Sequence, residues 1–105
     1  MATATAWQWS PEVLAFAREK GVADHLEPLR EATRRLFPTA LNLEVSVEAD
    51  AENPEIRHIV FECWVKVADV PDYLGATRTW IDACFSIVPA PQMPEFVFLL
   101  SRVKG

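Results

Sequence analysis

Glycine is nearly missing from this chain, which carries only Gly21, Gly75 and Gly105 among 105 residues. A phosphate-cradling loop of the Walker or dinucleotide type needs clustered glycines, because only a residue without Cβ lets the backbone wrap so closely, so that class is excluded. Cysteine is as sparse. Cys63 and Cys84 form no Cys-x-x-Cys pair and are too few for a disulfide framework. Both stand in apolar segments, which predicts two buried free thiols in a reducing compartment. There is no Gly-x-Ser-x-Gly and no His-Glu-x-x-His. No apolar run approaches the roughly 18 residues of a membrane span. The first six residues lack both a basic stretch and an apolar core, so no signal peptide is expected. Residues 1–8 are expected to be a flexible tail, and the protein to be cytoplasmic.

Positive charge is also in deficit. Ten Lys and Arg against fifteen Asp and Glu give a net charge of -5. Such a field repels nucleic-acid phosphates and anionic lipid, so neither is expected as a partner. The basic clusters are Arg30 with Arg34 and Arg35, and Arg102 with Lys104. Both read first as solvated faces, although the arginine trio on one helix also suits an acidic or phosphorylated partner.

What is abundant is apolar surface. Half of the residues are hydrophobic, enough for one core, and the length fits one domain over 1–105. Ser10-Pro11-Glu12 is a helix start: a capping hydroxyl, a proline where no N–H is needed, and an acid at the positive end. Trp9 and Leu14 are spaced as a hydrophobic staple, and Lys20-Gly21 is a stop. A second helix is expected from about Val22 to Phe37, with its first turn separate or kinked at Pro28. A third is expected from Asp69, as cap, to Val88, with Tyr73, Thr77, Trp80, Ile81, Cys84, Phe85 and Val88 in a wide apolar stripe.

Leu41 to Ala49 alternates apolar and polar residues and predicts a half-buried strand. Ile56 to Val67 is a second, with Ile59, Phe61, Cys63 and Val65 on its apolar face. The hairpin must bring core face onto core face, which leaves two registers: Val47 opposite Ile59, or Val47 opposite Phe61. The first sets Glu44 against Glu62, a like-charge pair that counts against it. Pro89 to Pro94 reads as a stiff loop. Glu95 to Val103 is a last strand, apolar on both faces.

The fold class is therefore α+β: α-α-β-β-α-β, with a small three-stranded, mainly antiparallel sheet and helices packed on one face. The preferred strand order is 2-1-3. Val60, Trp64, Phe96 and Phe98 are expected on the uncovered face, as anchors of an association surface. The first functional expectation is a non-enzymatic protein-interaction module, self-associating as a homodimer or binding another protein. The alternative is a small enzyme or ligand binder in which His58 pairs with Glu48 or Asp50; Glu62, a weaker candidate, is on the same face but roughly 13 Å along the strand. His25, His58, Cys63 and Cys84 match no zinc spacing, so no metal is expected, and no cofactor is implied.

Overall fold

The computed structural model describes residues 8–104. Of the expected tail, residues 1–7 lie outside the described residues, and Gln8 is exposed. The chain runs α1 (Pro11–Lys20), a 3-10 turn (Ala23–His25), α2 (Leu26–Leu36), β1 (Asn42–Ala49), β2 (Arg57–Lys66), a 3-10 turn (Val67–Asp69), α3 (Tyr73–Ile87), a 3-10 helix (Ala90–Glu95) and β3 (Phe96–Val103).

The local signals act as physical chemistry dictates. Ser10 Oγ accepts from the Val13 amide at 3.1 Å. Gly21 closes α1 at φ 72°, a left-handed turn that a side chain would strain. Pro28 falls in the first turn of α2, where its missing N–H leaves no bond unmade. The third helix starts later than its sequence suggests. Asp69 belongs to the preceding 3-10 turn, and Asp72 is the cap, accepting from the Gly75 amide at 3.0 Å. A Cβ at position 75 would collide with that carboxylate, so glycine makes room for the cap. The proline-rich segment is not a plain loop but a 3-10 helix, which tolerates Pro94 because its bonds are short and few. Gln92 pins it across the molecule, accepting from His25 Nε2 at 3.0 Å and donating to the Gly21 carbonyl at 3.3 Å.

The sheet order is β1-β2-β3, and it is mixed. β1 and β2 are antiparallel, whereas β3 lies beside β2 and parallel to it. The expected order 2-1-3 is corrected by the crossover: α3 leaves β2 and lands the chain next to the strand it left. β2, buried along most of its length, takes the centre. The hairpin adopts the register with Val47 opposite Ile59, so Glu44 does face Glu62. Two features override that repulsion. Asp50 accepts from the amides of Glu52 and Asn53, at 2.8 and 3.1 Å, and so fixes the turn. Ser101 on β3 donates to Glu62 at 2.8 Å and so shares the charge of its carboxylate.

All three α-helices among the described residues contribute to one core on the Ile59, Phe61, Cys63 face. The parallel register aligns Phe96 with Ile59, Phe98 with Phe61 and Leu100 with Cys63. Phe96 and Phe98 therefore point into the core, not onto the uncovered face as expected. Phe98 stacks on Trp80 at 4.6 Å between ring centroids and on Phe37 at 5.7 Å. Trp80 donates its indole N–H to Thr33 Oγ1 at 2.8 Å, and Thr33 donates in turn to the Leu29 carbonyl. This buried chain ties α3 to α2.

Candidate functional site

The face of the sheet away from the helices carries Val60, Glu62 and Trp64 of β2, Glu44, Ser46 and Glu48 of β1, and Val97, Leu99, Ser101 and Val103 of β3. Of the four expected anchors, Val60 and Trp64 lie here. Val60 is only 6 % exposed. It sits on the central strand between Ser46 and Val97, so flanking side chains close around it. Trp64 is half-buried between Asn42 and Ser101.

Of the acid–base candidates, His58 and Asp50 come within ion-pair distance, whereas Glu48 and Glu62 are engaged elsewhere. His58 stands opposite Glu48 in the ladder, but its Nδ1–H donates to the Pro94 carbonyl at 2.9 Å, and Nε2 lies 3.9 Å from Asp50. Glu48 accepts from Ser46 at 2.8 Å, and Glu62 from Ser101. A shallow cavity of about 300 Å³ adjoins His58, walled by Phe16, Lys20, Glu55 and Pro94; Glu48 and Glu62 do not reach it. The two amide hydrogen bonds hold the Asp50 carboxyl below its usual range. Burial pushes each cysteine thiol up to about 11, so both stay protonated and poorly nucleophilic near neutrality. Among the described residues, no group of three or more His, Cys, Asp or Glu is placed to hold a metal ion. No helix there is long and apolar enough to cross a membrane.

Two further features stand out, one of them around the arginine trio that the sequence nominated. The first is an apolar edge. Among the described residues, large apolar side chains left exposed are Leu41, Ile56, Val67, Leu74, Ile81, Phe85, Leu99 and Val103, and five of these eight lie on α3 or β3. α3 runs antiparallel above β3: the Arg102 guanidinium lies 4.9 Å from the Tyr73 ring, Trp80 stacks on Phe98, and Cys84 Sγ is 3.3 Å from Met93 Sδ. Gly75, Ala76 and Thr79 share a hollow with Leu36 and Phe37, so that flank of α3 faces α2. At about 100° per residue, Leu74, Ile81 and Phe85 fall on the opposite flank, which overhangs the free edge of β3. Ile81 and Phe85 thus leave the core stripe expected of them. The width of that stripe was the signal, since each stands one residue, a quarter-turn, beyond the buried Trp80 and Cys84.

The second feature is a cavity of about 540 Å³ between α2 and the start of β1. It brings Arg30, Arg34 and Arg35 together over a wall that includes Phe37, Ala40, Leu43 and Cys63. The chain matches no family model, no curated protein and no solved structure.

Proposed function

We propose that this protein is a non-enzymatic interaction module that self-associates as a two-fold dimer across its β3–α3 edge. The observation that carries the reading is the exposure of Leu74, Ile81 and Phe85 on the flank of α3 that overhangs the free edge of β3, with Leu99 and Val103 exposed on the other face of that same edge strand. β3 has β2 on one side and no strand on the other among the described residues, so a row of main-chain groups remains available for pairing. A second copy is the occupant that the charges favour. Arg78 and Asp82 are exposed on the same flank of α3. They stand symmetrically about Trp80, so an antiparallel α3–α3 contact with its axis near Trp80 sets each Arg78 against the partner's Asp82. Leu74 then meets the partner's Phe85. An isologous interface requires this kind of self-complementarity. A cytoplasmic setting accords with the two free cysteines.

Light scattering behind a sizing column tests the reading. At tens of micromolar the wild-type chain should elute as a dimer, and Phe85→Glu as a folded monomer. Arg78→Asp should weaken the dimer, and adding Asp82→Arg should restore it. A monomeric wild type, or a dimer indifferent to all three variants, would overturn it.

A further inference from the structure

We infer that the cavity between α2 and β1 is a binding site for a small amphipathic anion, a carboxylate or phosphate headgroup on an apolar body. Its volume of about 540 Å³ lies within the range of small-molecule sites. The lining is divided by chemistry. Phe37, Pro38, Ala40, Leu43 and Cys63 supply an apolar wall. Arg34 and Arg35 supply the charge: both are exposed, and neither forms an ion pair with a described residue. Arg30 plays a different part. Its guanidinium is braced by Glu27 at 2.9 Å and Glu31 at 3.2 Å, so it stiffens the wall beneath the other two. Asn42 accepts from the Leu43 amide through Oδ1, which leaves its amide N–H groups as further donors.

The placement runs against the global charge. A chain with net charge -5 places three of its ten basic side chains around this one cavity, against a single carboxylate, Glu31, which is engaged by Arg30. A solvated arginine face has no need of an apolar wall, and an apolar hollow has no need of two unpaired guanidinium groups. Together they fit a ligand with an oxyanion at one end and hydrocarbon at the other. Guanidinium groups bind both carboxylate and phosphate in a two-pronged fashion, so the headgroup is named by that shared chemistry. Inorganic phosphate, lacking a body to bury, is the weaker ligand.

Calorimetric titration of the full chain with octanoate, phenyl phosphate, inorganic phosphate and 1-octanol tests the site. Octanoate or phenyl phosphate should bind, and whichever binds tighter identifies the headgroup. Inorganic phosphate and octanol should each bind about tenfold more weakly or worse. Arg34→Gln with Arg35→Gln should cost about tenfold or more in affinity while the melting temperature without ligand stays within about a degree. Amide resonances of Ala40, Asn42 and Leu43 should shift on titration and those of α3 should not, which keeps the outcome separate from the fate of the dimer. Octanol binding as tightly as octanoate overturns the inference. So does the absence of any binding at millimolar concentrations, or full affinity in the double variant.

Discussion

Thr33 shows how much one hydroxyl carries. It is 1 % exposed and serves as donor to Leu29 and acceptor for Trp80 at once. From the sequence it is one more position on a helical stripe, because spacing reports which face a residue occupies but not which partner crosses to it from 47 residues away. Thr33→Val keeps the shape and removes the acceptor, stranding a buried indole N–H. The expected cost is about 1–3 kcal/mol by urea unfolding, since a buried donor without a partner loses its full desolvation energy. Thr33→Ser should recover most of it. In a Trp80→Phe background, which has no donor to strand, Thr33→Val should cost clearly less.

At the scale of elements, the first strand, the helix caps and the α+β class were legible because each is written locally: alternation in Leu41–Ala49, a hydroxyl and proline at Ser10-Pro11, a glycine after Lys20. The register and the order of strands were not. Glu44 against Glu62 looked unfavourable because the competing terms, Ser101 on a strand 39 residues away and the turn closed by Asp50, lie outside the pair. Placing Phe96 and Phe98 on the wrong face has the same root. A strand apolar on both sides carries no internal mark of which side meets the core, and only its alignment with Ile59 and Phe61 decides. Neither the cavity nor the apolar edge is a property of any one segment, so neither was readable before the segments were assembled. The turn itself can be tested. The folded-state pKa of Asp50 is depressed, so the turn is supported above the ordinary aspartate value of 3.8 and loses that support as pH falls through the lower folded value. The Glu52 and Asn53 amide resonances should therefore titrate together below pH 3.8, and in Asp50→Asn they should not. Separate midpoints for the two amides, or an unchanged titration in the variant, would rule out Asp50 as their common acceptor.

For the whole molecule, the edge and the cavity lie on opposite flanks of the helical layer: one beyond α3, the other beside the end of α2. The proposed dimer surface and the proposed anion site therefore do not compete for the same residues. Association has a thermodynamic signature that column elution lacks. If the native state is a dimer that dissociates on unfolding, mass action adds RT ln 10 to its stability for each tenfold rise in concentration, about 1.4 kcal/mol per dimer or about 0.7 per chain. At the usual unfolding entropy per residue, a chain of this length converts that into a melting temperature about 3 °C higher. Scanning calorimetry from 5 to 500 µM, roughly two such steps, should therefore move the wild-type midpoint upward by about 6 °C. Phe85→Glu should show one midpoint at every concentration. The contrast separates a dimer joined through α3 from one joined elsewhere, because a dimer built on Trp64 and the β1 side of the sheet would keep its concentration dependence when Phe85 is changed.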